Sequence, residues 1–255
     1  MKVALSTVLP LIWIGTSIAD YADNANAAIQ TLQNKYYNVD NGLWRGTGGD
    51  MWWQCGQIVE IIARFGLADE SFKQTAKDII SNTYAKSGNQ IGHTNWHNDY
   101  YDDMGWWAMG WIASFDLTRD ERYLATAKDL FEDMTGGWHT PCNGGIFWRK
   151  QGDSIASISN ELFLSIAAHL ANRVSADQKD NYIHWARMEW DWFWNSGVIN
   201  SNSLVNDGVD MVTCKNTGKP VYTYNQGVVL AGLSELAKAL SDGGYIEVST
   251  FLVAT

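Results

Sequence analysis

The sequence predicts an all-α chain folded as an α/α toroid. Three observations carry this. Apolar residues recur at three- and four-residue spacing through most of the chain. Strict alternation of Val, Ile and Thr, the mark of a half-buried strand, is nearly absent. Segments that are apolar nearly all round alternate with segments that are apolar on one face only. A covered inner ring of helices and an outer ring facing water require that alternation.

In chain order, the spacing predicts helices at 24–37, 49–65, 70–84, 103–115, 121–134, 155–173, 176–194 and 224–240. Four of them open on a similar signal, Gly or Asn with aromatics followed by an apolar run. These openings are Gly49-Asp50-Met51-Trp52-Trp53, Asp103-Met104-Gly105-Trp106-Trp107, Ser159-Asn160-Glu161-Leu162-Phe163 and Tyr222-Thr223-Tyr224-Asn225-Gln226-Gly227. They read as inner helices, and amphipathic segments such as 121–134 read as outer ones. Strands are expected only at 145–148 and in a hairpin near 203–205 and 221–222. The loops 37–48, 85–101, 136–154 and 196–222 each precede an inner helix, so a toroid gathers them on one face. They are rich in Trp, His, Asn, Asp and Gly, the residues of a polar cleft.

Composition narrows the function. Of 255 residues, 46% are hydrophobic and 18% charged, enough apolar material for a sizeable core. The formal net charge of −10 disfavours nucleic acid and anionic membrane surfaces, both of which call for excess Lys and Arg. The 14 Trp and 11 Tyr residues suit either a helical core or sugar recognition, because an indole offers a flat apolar face and one N–H. At the N-terminus, Lys2, the short apolar stretch 3–14 and Ser17-Ile18-Ala19 have the form of a signal peptide. Residues 1–19 are therefore assigned to export and residues 20–255 to a single domain. Of three cysteines, Cys55 lies in an apolar helical run, whereas Cys142 and Cys214 lie in Gly- and Asn-rich loops. The loop pair is the favoured disulfide, and the spacing gives no zinc pattern.

The candidate chemistry centres on Tyr101-Asp102-Asp103-Met104-Gly105-Trp106-Trp107. Asp102 and Asp103 stand together at the entry to an apolar helix among aromatic side chains. Two close carboxyls in such a place cannot both ionise easily, so one holds its proton while the other is charged. Glycoside hydrolysis uses that combination of a neutral acid and an ionised carboxylate. The plainer reading is an N-cap, in which an Asp accepts a backbone N–H at a helix start.

The segment 101–107 resembles the signature of glycoside hydrolase family 76, the endo-α-1,6-mannanases. Three further stretches share the resemblance: Gly49-Asp50-Met51-Trp52-Trp53-Gln54, then Gly144-Gly145-Ile146-Phe147-Trp148 with the block 160–173, then Tyr222–Gly227. Together they cover about residues 24 to 240. The resemblance implies an (α/α)6 toroid, and about eight of its twelve helices are counted in this chain, so the toroid is expected to be incomplete. It also implies a retaining double displacement on α-1,6-linked mannan. Asp102 is then the nucleophile and Asp103 the general acid/base. No metal or organic cofactor is implied.

Further candidates lie in the loops and at the inner-helix starts. Trp44, Trp52, Trp53, Trp96 and Trp148 are candidate stacking platforms, with Trp106, Trp107 and Trp111 assigned to the core. Arg45, Asn160, Asp207, Asp210, Tyr224, Asn225 and Gln226 are candidates for binding mannose hydroxyls. His93, His97 and Asp99 have spacing that could hold a divalent ion, but no His-Glu-x-x-His pattern is present. A mannan transglycosylase and a non-catalytic mannan-binding wall protein are the alternatives to a hydrolase. The expected partner is α-1,6-mannan, with wall or membrane association if a longer form is anchored.

Overall fold

In the computed structural model, which describes residues 16–253, helices α1 (Thr16–Tyr36), α2 (Trp53–Ala68), α3 (Lys73–Ser87), α4 (Tyr101–Thr118), α5 (Glu121–Thr135), α6 (Ser157–Ala171), α7 (Ala176–Asn195), α8 (Thr223–Leu240) and α9 (Gly244–Val253) follow one another. Most of the predicted signal peptide lies outside the described residues. Helix α2 packs on α4, α4 on α6, and α6 on α8, while α3, α5, α7 and α9 each back the inner helix before them. The described residues therefore form an arc of inner helices with an outer layer.

Burial follows the sequence pattern. All residues of α6 are buried, and so is α4 from Met104 to Phe115. The outer helix α5 buries only one stripe, Tyr123, Leu124, Ala127, Leu130, Phe131 and Met134. Asp120 caps α5 by accepting the N–H of Arg122, and Arg119, in the left-handed region, ends α4. Two glycines let α2 and α4 touch through their backbones. A Cβ on Gly56 would lie 2.8 Å from the carbonyl carbon of Trp106, and one on Gly110 would lie 2.6 Å from the carbonyl oxygen of Gly56.

Three expectations need correction. First, the incomplete toroid expected from the sequence would leave its last inner helix, α8, short of cover, but Val229, Leu233 and Leu236 are buried and Val228 and Leu230 are half-buried. Helix α9, a segment without amphipathic spacing, packs on α8. Second, residues 145–148 form no strand; the neighbouring Arg149 makes a single bridge to Tyr100. Third, 203–205 and 221–222 do not form a hairpin with each other: Val205 pairs with Ile199, and Val221 with Asn206. The described strands are shorter and lie elsewhere. They are β1 (Tyr37–Asn38), β2 (Leu43–Gly46) and β3 (Gly49–Asp50) in one antiparallel sheet, and β4 (Ile155–Ala156) paired antiparallel with β5 (Gly208–Val209).

The loops before the inner helices are sewn to one another. Tyr101 N–H donates to the carbonyl of Trp148 at 2.9 Å, Lys150 N–H to that of Asp99 at 2.9 Å, and Ser157 N–H to that of Asp207 at 3.2 Å. Loops 85–101, 136–154 and 196–222 thus meet over the N-termini of α4, α6 and α8. At the opposite end of these helices, Arg173 donates to Asp116 at 2.7 Å and to Glu235 at 3.0 Å. That ionic knot ties the far ends of α4, α6 and α8, so the face bearing the loops is held from both sides.

Candidate active site

Helix α4 begins where the loop chain leaves extended geometry at Tyr100, which puts Asp102 and Asp103 in its first turn. Neither acts as the N-cap. Instead, each carboxyl has a partner from a different loop. The indole Nε1–H of Trp148 donates to Asp102 Oδ2 at 3.0 Å. The carboxamide of Asn98 donates to Asp103 Oδ2 at 2.6 Å, while its own oxygen accepts the N–H of Tyr100 at 2.9 Å. Asp102 Oδ1 is buried without a protein partner.

These surroundings separate the two acids. Burial pushes Asp103 up, the charge of Asp102 adds to the rise, and the bond from Asn98 only partly opposes it, leaving its pKa at about 7. Asp102 is also raised by burial, but three donors favour its anion: Trp148 and the backbone N–H groups of Asp102 and Asp103. Asp103 is thus the proton holder near neutral pH, and Asp102, though also raised by burial, is the one whose anion Trp148 supports.

A second acidic group faces the pair. Asp207 accepts the hydroxyl of Tyr224 at 3.3 Å and the carboxamide of Asn225 at 3.4 Å, and its charge contributes to the rise of Asp102. Tyr224 is held above the usual phenol range, by burial first and then by Asp207. Its ring stacks on that of Tyr222 with centroids 5.3 Å apart, both about 40% exposed. Beneath them Glu161 is fully buried with neither oxygen hydrogen-bonded, and burial, with Asp207 and Glu189 nearby, pushes it well above the carboxylate range.

On the other side of the pair, Trp52, His93, Thr94, Asn98, Asp103 and Lys150 line part of a cavity of about 610 Å³. Trp52 packs against His93 with centroids 4.2 Å apart. Trp53 is 39% exposed beside Trp106, with centroids 6.3 Å apart.

The structure reassigns several sequence candidates. Trp44 is fully buried against Tyr37, and Trp96 is buried among Tyr84, Trp107 and Trp111, so neither ring is free to stack on a sugar. Asn160 is spent on the loop, bonding both backbone groups of Ile146 and the carbonyl of Ala156. Gln226 likewise clamps Val205 through its N–H and carbonyl. Asp210 orders its own turn by accepting from Val212 and Thr213, and Arg45 pairs with Asp50 on an exposed sheet. These residues position loops and carry no sign of a ligand role.

Trp148, Asp207, Tyr224 and Asn225 remain near the acidic pair, and Trp52, though buried between His93 and Trp107, borders the cavity beside Asp103. Cys142 and Cys214 form a disulfide with Cα atoms 5.3 Å apart, joining loops 136–154 and 196–222. Cys55 is buried, and its thiol is pushed up to about 12 by burial. His93, His97 and Asp99 do not converge on one point: His93 faces Trp52, and His97 is held between Asp129 at 2.8 Å and Asp133 at 2.6 Å.

Sequence reasoning missed Asn98, Tyr222 and Glu161, and weighed His93 only as a metal ligand. An Asn shortly before an acidic helix start, and a second Tyr two residues from Tyr224, were the available signals. Glu161 gave a signal too, as a lone carboxyl in an apolar run.

Known proteins resemble this chain in sequence and in fold. The chain is 33% identical over 150 residues to the mannan endo-1,6-alpha-mannosidase DCW1 of Candida albicans, covering 53% of this chain and 32% of that protein. It is 27% identical over 256 residues to the mannan endo-1,6-alpha-mannosidase DFG5 of Saccharomyces cerevisiae, covering 92% of this chain and 54% of that protein. The chain thus spans about a third to a half of the length of these relatives. Among solved structures, an inactive variant of the α-1,6-mannanase of Salegentibacter in complex with α-1,6-mannotriose superposes with a TM-score of 0.72 at 23% identity, over 90% of this chain and 68% of that one. Dfg5 of Chaetomium thermophilum, in complex with glucosamine, superposes with a TM-score of 0.74 at 19% identity, over 94% of this chain and 64% of that one. The sequence profile of glycosyl hydrolase family 76 matches residues 20–250, nearly the whole chain, and the chain belongs to that family.

Proposed function

We propose that this chain is a retaining glycosidase of α-1,6-linked mannan. The observation that carries the reading is the adjacent pair Asp102 and Asp103, both raised by burial, Asp103 to about 7, with Asp102 alone supported by an indole donor from Trp148. The names of the family relatives support the substrate class. The Salegentibacter protein, rendered inactive with two consecutive aspartates replaced by asparagine, supports placing the chemistry on such a pair.

In this reading the steps are those of a double displacement, with the roles of the two acids taken from the family resemblance. Asp102, as carboxylate, attacks the anomeric carbon of the bound mannose. The bond from that carbon to the bridging oxygen breaks, and Asp103 gives its proton to the departing oxygen. Asp103, now a carboxylate, takes a proton from water. The water oxygen bonds to the anomeric carbon, and the ester to Asp102 breaks. Trp148 steadies the Asp102 anion before attack and after release. Asp207 and the hydroxyl oxygen of Tyr224, whose proton goes to Asp207, offer acceptors for mannose hydroxyls.

The test is incubation of the purified chain with α-1,6-mannotetraose, with products resolved by chromatography and the first anomer read by proton NMR. Shorter α-mannosides appearing with the α-anomer first are expected. An intact substrate overturns the assignment of activity, and β-anomer first overturns the double displacement.

Export is part of the proposal. Lys2, the apolar stretch 3–14 and Ser17-Ile18-Ala19 are its support, together with a disulfide of the kind that persists in oxidising compartments. Protein recovered from the medium should begin at Asp20; retention of the uncut chain inside the cell would refute this.

A further inference from the structure

The two donors of the acidic pair come from different loops, and both loops are fastened to one carboxylate. Asn98, the donor to Asp103, directly follows His97 in the chain. Trp148, the donor to Asp102, stands just before Arg149 and Lys150. His97 Nδ1 lies 2.6 Å from Asp133 Oδ2, and Lys150 Nζ donates to the same oxygen at 2.7 Å. Asp133 belongs to α5, the outer helix packed behind α4.

From this we infer that Asp133 is a positioning residue for the acidic pair: it anchors both the loop that presents Asn98 to Asp103 and the loop that presents Trp148 to Asp102. The inference rests on the proposed reading of that pair as catalytic, and it adds a residue of the outer layer that acts only through its partners.

Local physics disfavours an aspartate at this position, so its place has a tertiary reason. Helix α5 ends at Thr135, and a negative charge in the last turn meets the negative end of the helix dipole. Asp129 lies one turn earlier on the same face, and like charges four residues apart repel. The two basic partners, His97 and Lys150, offset both costs. The Asp133 side chain is 26% exposed, whereas that of Asp129, which meets His97 Nε2 at 2.8 Å, is 65% exposed. The less exposed carboxylate is the one that serves both loops, and water screens it less.

The donors need this anchor. Backbone bonds from Lys150 N–H to the Asp99 carbonyl and from Tyr101 N–H to the Trp148 carbonyl join the loops to each other and to the start of α4. Asp133 fixes the joined loops from the side of α5. Asn95 and Trp96, just before His97, have left-handed backbones, a conformation that surrounding structure must enforce. The Asn98 carboxamide is used at both ends, its oxygen on Tyr100 N–H and its nitrogen on Asp103. A slip at residue 97 therefore turns the donor away from the acid.

The field of Asp133 and its action through the donors have opposite signs at the pair. A nearby carboxylate raises a neighbouring acid, so removing its field alone lowers both acids. Slackened donors, each of which favours an anion, let both acids rise. The titratable groups facing Asp133 are His97 and Lys150 from the loops, Asp129 from its own helix, and Tyr101 of α4, whose hydroxyl is raised by burial first and by Asp133 second.

The test labels aspartate carboxyls with carbon-13 in the full chain and titrates them by NMR, with the two signals assigned by their loss in Asp102→Asn and in Asp103→Asn. Outright loss of a hydrogen bond to a charged group shifts a titration by about one to two pH units. Asp133→Ala loosens two such bonds and should raise both acids by roughly half a unit or more, on the same scale. Both limbs of the kcat/KM profile on α-1,6-mannotetraose should move up with them. Asp129→Ala should move Asp103 less and leave Asp102 in place. If Asp133→Ala does not fold, His97→Gln cuts only the arm to Asn98 and should raise Asp103 alone. Titrations that stay put or fall, or an equal response to Asp129→Ala, overturn the positioning role even in a chain that cuts mannan. Raised titrations in a chain that leaves mannotetraose intact uphold the anchor and overturn the glycosidase reading instead.

Discussion

Asp103→Asn separates catalysis from stability. The carboxyl is raised from its ordinary value of 3.8 to about 7, by burial first and by Asp102 second. The folded chain therefore holds a proton that the unfolded chain has released. The sign follows from linkage: below about pH 4 both states are protonated and the group contributes nothing. Between about pH 4 and pH 7 the native state is progressively penalised, and above pH 7 the penalty is complete. About three pH units at about 1.4 kcal/mol each give an upper limit of ~4 kcal/mol.

An asparagine keeps the shape, and its carbonyl still accepts from Asn98, but it has no charge to desolvate. The variant should match the parent in stability near pH 4 and exceed it at pH 8. A chain of this size gains roughly 2–4 °C of Tm for each kcal/mol, so a difference of several degrees is expected at pH 8. Turnover of mannotetraose should fall by orders of magnitude in the same variant, because the general acid is gone. Urea and thermal unfolding at the two pH values provide the test. Equal effects at pH 4 and pH 8, or a loss of stability at pH 8, would refute the argument that Asp103 is a strained, proton-holding acid.

Trp148→Phe removes the donor to Asp102 Oδ2 and should move the acidic limb of the kcat/KM profile up by about one to two pH units, the worth of a hydrogen bond to a charged group; an unmoved limb would show that Trp148 does not tune the nucleophile. Gly110→Ala gains up to about 1 kcal/mol of helix propensity, but its Cβ would meet the Gly56 carbonyl oxygen at 2.6 Å. Overpacking costs typically about 1–3 kcal/mol, so the urea midpoint should fall, and a rise would mean that α2 and α4 can move apart freely. The double variant Cys142→Ser, Cys214→Ser opens a link spanning 72 residues. It should lose about 4 kcal/mol in equilibrium unfolding, whereas a loss below about 1 kcal/mol would show that the joined loops hold without it.

Helix positions were legible because apolar spacing is a local signal, and inner helices were distinguishable from outer ones because coverage on all sides leaves no polar stripe. Helix α9 was not, since Gly244–Val253 is apolar without a face. The two-residue strands were illegible for a related reason: β4 and β5 pair Ile155 with Val209 across the chain, and so short an element has no alternation to read. The acidic pair stood out by composition alone. Its tuning did not, because the donors of Asp102 and Asp103 come from Trp148 and Asn98, and long-range geometry decides which loop residues reach them. Asn160 and Gln226 misled for the same reason. A polar residue at an inner-helix start looks available for a ligand, and only the fold shows that Ile146 and Val205 already occupy it.

Tryptophan was the hardest residue to place, and the structure shows why the choice between core and platform was too sharp. Tyr123 of α5 stacks on Trp111 at 5.6 Å and 8°, Trp111 on Trp107 at 5.6 Å and 23°, and Trp107 meets Trp52 at 5.1 Å. Trp52 then meets His93 at 4.2 Å on the cavity wall. The rings form one column running from the outer layer, through the core, to the cavity beside Asp103. Each contact adds about 0.5–1.5 kcal/mol beyond burial, yet the indole N–H groups of Trp52, Trp107 and Trp111 are buried without protein partners. Apolar packing therefore governs these rings. Among the indoles whose N–H groups are satisfied, Trp96 on Ser87 and Trp148 on Asp102 sit in the loops around the site, and Trp192 of α7 reaches the carbonyl of Cys142 in a loop. A Trp in this fold is assigned less by whether it lies in a loop or a helix than by what its N–H finds, and that partner is supplied by a distant part of the chain.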